Sequence, residues 1–274
     1  MRYLAAGERG PAVLLLHGWS SFKEIWWSAL QALAPHVRAF APDMPGHGGT
    51  PLLGTVQMHQ VAARAARFAQ ARGLERVVLV GHSMGGYIAL LAAARHPEAV
   101  SSVVLIDSPI PTGWRGRLLS FSQLTGLAYR AGPAPIAARR RDHWESRDAA
   151  RTFFAGKAFV QRWAPGVLDD FIAHALVDVP DAGVTLRVPR DTERDIYANL
   201  MHRSALRALQ RLRRKGIGVH FIAGTQSEET RMAGYAQNER LFAPHFHPLP
   251  TGHLIPMEAP AECAALVVKL ANAS

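Results

Sequence analysis

The sequence of 274 residues has only one cysteine, Cys263, so no disulfide can form within the chain. It also lacks any run of about 18 consecutive apolar residues, the length that a membrane-spanning helix needs. The N-terminal segment MRYLAAGERG has no apolar stretch of the kind found in secretory signals. Internal repeats and low-complexity tracts are absent as well. These absences predict a cytoplasmic protein with a reduced cysteine and no membrane partner.

Acidic residues are scarce. The chain has 21 aspartates and glutamates against 31 lysines and arginines, which gives a formal net charge of +10. An excess of this sign is typical of proteins that bind nucleic acids or anionic substrates. The basic runs at 139–141 and 211–215 have neither interleaved aromatic residues nor the spacing of a DNA-binding motif. We therefore expect an arginine-rich, solvated helical surface and no nucleic-acid partner, with an anionic substrate still possible.

Apolar runs of strand length alternate with segments of helical periodicity in the first 107 residues. A run such as PAVLLLHG is apolar throughout, which is typical of a parallel strand buried on both faces. Strands are predicted at 11–18, 37–42, 76–81 and 100–107, and helices at 22–33, 61–73 and 83–97. This alternation predicts an α/β fold, in which a mostly parallel sheet carries helices on both faces.

The pattern changes after Asp107, where the segment SPIPTG at 108–113, with its two prolines, is predicted to be a linker. Residues 114–214 have mostly helical periodicity, with one β-like run at 183–188. Strand-like runs return at 218–223 and 245–250, and a last helix follows them. The sequence thus predicts a core built from 1–111 and 212–274, with a helical cap inserted at 112–211.

A G-x-S-x-G motif, residues 81–85, lies directly between a predicted strand and a predicted helix. This context is required of a nucleophile elbow, a tight turn that lifts a serine hydroxyl above the edge of the sheet. Ser83 is therefore the predicted nucleophile. The backbone N–H of Met84, at the start of the helix, is the predicted donor to a developing oxyanion.

The loop after the first predicted core strand, HGWS, is expected to supply a second oxyanion donor. Gly18 allows the backbone to turn there, which makes the N–H of Trp19 the natural partner of Met84. His17 could act as a base, but we expect it to brace this loop through hydrogen bonds.

A general base is expected near the C-terminus, after the last strand. His253 follows Gly252 at this position and is the predicted base among 13 histidines. The alternating pair His245 and His247 could bind a metal ion, but no third ligand is evident nearby. No metal site is therefore predicted.

Four motifs of this chain resemble those of the α/β-hydrolase superfamily, of the cap-bearing serine esterase and C–C hydrolase type. They are HGW at 17–19, DMPGHG at 43–48, GHSMGG at 81–86 and GH before LIPMEAP at 252–258. The resemblance covers the whole core in order and spacing. It implies a Ser–acid–His triad, an oxyanion hole formed by the N–H groups of Trp19 and Met84, and no cofactor. A serine nucleophile also disfavours dehalogenase and epoxide-hydrolase chemistry, which in this superfamily uses an aspartate.

The sequence departs from the family pattern at the acid. The resemblance implies an aspartate about three residues after Gly224, where this chain has Ser227. Two carboxylates could replace it. Asp107 ends the strand that follows the nucleophile helix, and in some relatives the acid comes from that strand end, while Glu228 lies one residue beyond the usual position. We expect the acid to be Asp107, with Glu228 as the alternative.

These residues predict a hydrolase that cleaves a small or medium apolar ester through an acyl-enzyme on Ser83. Two alternatives remain open: C–C bond hydrolysis or cofactor-free oxygenation by the same triad, and a non-catalytic ligand-binding member of the fold. The protein is expected to be a monomer or a homodimer. Aromatic residues of the insertion are candidates to line the substrate pocket or to pack within the cap: Trp114, Phe153, Phe154 and Trp163.

Overall fold

The computed structural model describes residues 1–18, 21–51, 58–130, 133–190, 194, 198 and 202–274. In chain order, the strands in these ranges are β1 Tyr3–Ala6, β2 Ala12–Leu16, β3 Arg38–Pro42, β4 Val77–His82, β5 Val100–Ile106, β6 His143–Trp144, β7 Leu176–Val179, β8 Gly183–Leu186, β9 Gly218–Gly224 and β10 Phe246–Leu249. The α-helices, renumbered in the same way, are α1 Trp27–Leu33, α2 Met58–Ala71, α3 Met84–Arg95, α4 Gly113–Leu124, α5 Pro133–Arg139, α6 Arg147–Ala155, α7 Val167–Ala175, α8 His202–Arg214, α9 Glu228–Ala233, α10 Tyr235–Phe242, α11 Ile255–Glu258 and α12 Pro260–Asn272.

Seven strands form the main sheet in the order β1-β3-β2-β4-β5-β9-β10. Strand β1 pairs antiparallel with β3, and the other strands are parallel. The predicted mostly parallel α/β sheet is confirmed, and each strand predicted for it is present. The edge strand β1 was not predicted, because its four residues are mostly half-buried and no helix connects it to a parallel neighbour.

Both faces of the sheet are covered, which explains the uninterrupted apolar run of β2. Leu14 and Leu16 point into a core shared with α2, α3 and α8. Val13 and Leu15 point to the other side, where α1 and α12 pack. All five residues of β2 are buried. Alternate side chains thus serve two cores, and neither face of the strand needs polar residues.

The insertion contains a second sheet that the sequence only partly predicted. Strands β6, β8 and β7 form a three-stranded antiparallel sheet, of which β8 corresponds to the predicted run at 183–188. Strand β7 begins at Leu176, within the segment 114–214 that was predicted to be mostly helical. Trp144, Leu176 and Val184 from this sheet pack with Phe154 and Ile172 in a small separate core. The insertion therefore combines helices with a minor sheet.

Helix α8 crosses the predicted boundary at 211/212. Its apolar side, with Ala205, Leu209 and Leu212, is buried in the same core as α3. Among the described residues of α8, Ala205 is the first whose side chain belongs to this core. Among the described residues, no helix has both the length and the apolar character needed to cross a membrane.

Candidate active site

Ser83 lies in the turn between β4 and α3 with φ 54° and ψ −122°, a conformation that side-chain-bearing residues rarely adopt. The turn is closely packed. A Cβ added to Gly81 would collide with the backbone of Gly85, and one added to Gly85 would collide with the backbone of Leu16. Only glycines fit at these two positions, so the G-x-S-x-G spacing follows from the close approach of β2, β4 and α3.

A chain of hydrogen bonds connects Ser83 to Asp107 through His253. The Nε2 atom of His253 lies 3.0 Å from Ser83 Oγ, and its Nδ1 atom lies 2.6 Å from Asp107 Oδ2. Ser83 is half-buried at the carboxyl edge of the sheet. Because Nδ1 donates to the carboxylate, Nε2 is left unprotonated and can accept the serine proton.

Asp107 is fully buried, and three further donors surround its carboxylate. The backbone N–H of Gly224 and the hydroxyl of Thr230 donate to Oδ1, each at 2.9 Å. The hydroxyl of Ser227 donates to Oδ2 at 2.5 Å. A buried carboxylate requires such compensation for the hydration that it loses. The loop that follows β9 therefore holds Asp107 in place.

The serine at the usual acid position thus has a clear structural role. Ser227 caps α9 by accepting a hydrogen bond from the N–H of Thr230 at 3.1 Å, and it also contacts Asp107. Glu228 is exposed and pairs with Arg231 at 3.0 Å. The carboxylate within hydrogen-bonding distance of His253 is that of Asp107. The sequence did not predict that Ser227 and Thr230 bind Asp107, although a serine that replaces an aspartate suggests a donor for a relocated carboxylate.

The pKa of His253 is raised above its usual value of 6.5. Burial alone lowers this pKa, but the hydrogen bond to Asp107 and the charge of that carboxylate raise it by more. Glu229 adds to the rise, since its Oε2 atom lies 3.9 Å from His253 Nδ1. The surroundings therefore stabilise the imidazolium that forms when His253 accepts a proton.

Two other histidines near Ser83 are structural. His17 accepts a hydrogen bond from the N–H of Met44 at 2.9 Å and donates to the carbonyl of Gly18 at 2.7 Å, as its predicted bracing role requires. His82 donates from Nε2 to the carbonyl of His253 at 2.9 Å. Burial, followed by the nearby His253, lowers the pKa of His82 to about 3. Both rings position the loops around Ser83.

The N–H of Met84 is the first of α3, so no carbonyl within the helix accepts it. The second predicted oxyanion donor, Trp19, lies outside the described residues. Its neighbour Gly18 is described and packs against Ser83, since a Cβ at Gly18 would lie 3.1 Å from that of Ser83. The loop after β2 therefore runs directly beside the predicted nucleophile.

Comparisons with known proteins agree with this fold and motif. A family model for the alpha/beta hydrolase fold matches residues 11–141, which include β2 to β5, Ser83 and Asp107. The match and the sheet topology show that the chain has the α/β-hydrolase fold. The crystal structure of E-2-(acetamidomethylene)succinate hydrolase superposes on this chain with a TM-score of 0.78, covers 98% of this chain and 94% of that chain, and is 20% identical. At that identity the likeness concerns the fold alone.

Curated relatives of this α/β hydrolase match over part of their length. The chain is 31% identical over 179 residues to the dihydrolipoyllysine-residue acetyltransferase component of an acetoin cleaving system from Cupriavidus necator. The matched segment covers 65% of this chain and 43% of that protein. It is 37% identical over 111 residues to a monoacylglycerol lipase from Xenopus laevis, with 38% of this chain and 33% of the lipase covered. The chain thus spans less than half the length of these relatives.

The insertion of this α/β hydrolase contacts the core beside His253. The N–H of Ala164 donates to the carbonyl of Met257 at 2.8 Å, and the Nε atom of Arg162 lies 3.6 Å from the Oε2 atom of Glu258. Glu258 in turn accepts hydrogen bonds from the N–H groups of Gly252 at 2.7 Å and Leu254 at 3.3 Å. The insertion therefore supports the loop that carries His253.

Most aromatic residues proposed for the pocket pack within the insertion of this α/β hydrolase. Phe153 and Phe154 join the small core around Trp144. Trp163 packs against Phe171, with ring centroids 5.4 Å apart. Trp114, by contrast, is 62% exposed. Three of the four aromatic residues thus pack within the cap, which was the alternative to lining the pocket, and Trp114 is on the surface.

One set of described side chains in this α/β hydrolase has potential metal-ligand atoms within 4.8 Å of one another: Asp107, Glu229 and His253. Asp107 and His253 already share a direct hydrogen bond, so the set fits an acid–base pair better than the ligands of an ion. His247 Nε2 lies 3.3 Å from His220 Nδ1. His245 does not complete a set of three with them in the described part of the chain.

Proposed function

We propose that this α/β hydrolase cleaves a small or medium apolar carboxylic ester through an acyl-enzyme on Ser83, with His253 as the base and Asp107 as the acid. The hydrogen-bonded chain from Ser83 through His253 to Asp107 carries the proposal. The monoacylglycerol lipase relative supports it, because that lipase is named for an ester substrate.

In the first half-reaction, Ser83 Oγ attacks the carbonyl carbon of the ester while His253 Nε2 takes the hydroxyl proton. The oxyanion of the tetrahedral intermediate accepts a hydrogen bond from the N–H of Met84, and the N–H of Trp19 is the proposed second donor. When the intermediate collapses, the C–O bond of the ester breaks and His253 returns the proton to the departing alcohol. The acyl group remains on Ser83.

In the second half-reaction, a water molecule attacks the acyl carbon while His253 takes one of its protons. Collapse of the second tetrahedral intermediate breaks the bond to Ser83 Oγ, and His253 returns the proton to the serine. Asp107 stays ionised throughout, because it holds Nδ1–H of His253 and stabilises the imidazolium. The acid product leaves, and no cofactor is required.

The test combines a nitrophenyl-ester series from acetate to decanoate with labelling by a fluorophosphonate. We expect hydrolysis of at least the shorter esters, and one adduct that peptide mapping locates at Ser83. An adduct without hydrolysis of any ester would favour the C–C or oxygenase alternative. The absence of both hydrolysis and adduct would favour a non-catalytic, ligand-binding protein.

The pH dependence of the hydrolysis should follow His253. Since only the neutral imidazole accepts the serine proton, kcat/KM should rise with pH through a pKa above 6.5. Glu229→Gln removes a negative charge that raises this pKa, so the acid limb of the profile should move to lower pH. Glu228→Gln, which changes an exposed neighbour paired with Arg231, is the matched control. Equal profiles for wild type and Glu229→Gln would contradict the assignment of the acid limb to His253.

A further inference from the structure

Helix α4 exposes its apolar side to solvent. Gly116 is the only buried residue of this helix. Its most exposed large side chains are Trp114 at 62%, Leu118 at 59%, Phe121 at 58% and Leu124 at 88%. Their spacing of four, three and three residues places them on one side of the helix. This arrangement is the reverse of an ordinary surface helix, whose apolar side is turned towards the core.

The orientation of α4 is fixed by polar contacts on its other side. Ser120 Oγ lies 2.9 Å from His202 Nε2 and accepts a hydrogen bond from Arg203 Nε at 2.7 Å. The carbonyl of Gly116 lies 3.1 Å from His202 Nε2. These contacts attach α4 to the start of α8. The exposed apolar side is thus held outwards by the fold.

The exposed surface continues beyond the end of α4 in the following turn. Leu127 is 44% exposed and Tyr129 is 43% exposed. We refer to the six exposed side chains together as the α4 face: Trp114, Leu118, Phe121, Leu124, Leu127 and Tyr129. Large apolar side chains exposed together along one side of a helix and in the turn that follows it mark a place of interaction.

The charged residues that flank α4 in the sequence are all basic. Between Asp107 and Asp142 the sequence has six arginines and no acidic residue. Arg117 and Arg130 are exposed beside the α4 face, and the guanidinium of Arg115 lies 4.6 Å from the ring centroid of Trp114. The partner of this surface must therefore offer both apolar contact and negative charge.

We propose that the α4 face docks this protein on the surface of an anionic lipid bilayer. A helix of 12 residues is about 18 Å long, and when it lies flat it can bury one apolar side just below the headgroups. Trp114 near one end and Tyr129 at the other suit the interface, where amphipathic rings concentrate. The arginines would contact the anionic headgroups. The absence of a spanning segment led the sequence to predict no membrane partner, and this proposal replaces that prediction.

A second copy of the chain fits the α4 face less well. A symmetric contact through this surface would bring the arginines of the two copies together, with no acidic residue of 108–141 to offset them. An acidic protein could satisfy the charge. The apolar side chains, however, form a line along one helix, and a fluid bilayer adapts to such a surface.

The test is flotation of the full chain with two kinds of vesicle, one of phosphatidylcholine and one containing phosphatidylglycerol as well. We expect wild type to bind the anionic vesicles and to be released as salt is raised. Leu118→Gln combined with Phe121→Gln should weaken binding at least about tenfold, since two apolar side chains no longer insert. Trp27→Gln is the matched control, because Trp27 is 45% exposed on α1, away from the α4 face.

A second pair of variants separates the location of charge from its amount. Arg117→Gln combined with Arg130→Gln should weaken binding about tenfold, as each arginine near an anionic surface contributes about 1 kcal/mol. Arg211→Gln combined with Arg214→Gln removes the same charge from the exposed end of α8 and should have little effect. Thermal unfolding and hydrolysis of a soluble short ester should be unchanged in all four variants.

Three results would overturn the proposal: no preference of wild type for anionic vesicles, equal weakening by the two arginine pairs, or binding that survives Leu118→Gln with Phe121→Gln. Wild type that fails to bind vesicles but self-associates in analytical ultracentrifugation, in a way that depends on Leu118, would assign the α4 face to a second copy. Because vesicle binding is measured without turnover, its failure is independent of the proposed esterase activity.

Discussion

Replacing Asp107 with asparagine is expected to lower kcat/KM for an ester substrate by about 10⁴-fold. The donors around this side chain determine how the new amide must lie. Gly224 N–H and Thr230 Oγ1 both donate to Oδ1, so the amide oxygen should occupy that side. Its NH₂ group then faces His253 Nδ1, which must accept the hydrogen bond. Nε2 would carry the proton, and His253 could no longer deprotonate Ser83.

The controls for this variant are the two neighbouring glutamates. Glu228→Gln changes an exposed side chain, and Glu229→Gln removes a carboxylate 3.9 Å from His253, so each should keep kcat/KM near pH 8 within about threefold of wild type. Thermal unfolding should verify that Asp107→Asn is folded. Loss of activity in Glu228→Gln, with Asp107→Asn still active, would return the acid to the loop after β9.

Removing the Ser83 hydroxyl is expected to lower kcat by about 10⁶-fold, the loss typical of a serine nucleophile. Two variants separate this loss from the backbone strain of the elbow. Ser83 has φ 54° and ψ −122°, a region that glycine adopts readily and alanine does not. Ser83→Ala and Ser83→Gly should therefore be equally inactive. Ser83→Gly should nevertheless have the higher free energy of unfolding, by about 1 kcal/mol.

Chemical denaturation of the two variants measures this difference, and both lose the same hydrogen bond to His253, which cancels in the comparison. Equal free energies of unfolding would mean that the elbow is not strained at residue 83. A kcat for Ser83→Ala within about tenfold of wild type would argue against an acyl-enzyme and favour water or His253 acting directly on the substrate, since only a much smaller residual rate is expected from binding and the oxyanion hole.

The core of the fold could be predicted because its signals are local. Strands such as β2 and β4 are buried apolar runs, and a helix such as α2 has its buried residues at helical spacing. The short strands β6 and β7 have no such signal, since two and four residues are too few for a period to be recognised. They form strands because Trp144 and Leu176 pack against β8 and α6, contacts that the sequence does not specify.

The predictions for the candidate site also rest mostly on local signals. Ser83 and Met84 follow from one motif in its strand–helix context, and His253 follows from its place after the last strand. The sequence favoured Asp107 over Glu228 by its place at a strand end but left Glu228 open, because the choice depends on where the loop after β9 turns relative to the end of β5. In the structure that turn is set by the hydrogen bonds of Ser227 and Thr230 to a side chain 120 and 123 residues away.

The place of Asp107 at the end of β5 also affects the order in which the site can assemble. Strands β4 and β5 are neighbours joined by α3, so one β–α–β unit brings Ser83 and the backbone of Asp107 together, and β9 with the residues after it then supplies the donors that hold the Asp107 carboxylate. His253 is 170 residues from Ser83 and 146 from Asp107 along the chain. Closing so long a loop is entropically costly and is compensated only by native contacts. During synthesis, the growing chain therefore contains the proposed nucleophile and acid before the proposed base exists, and we expect hydrolysis to begin only when the last strand and its histidine loop have docked.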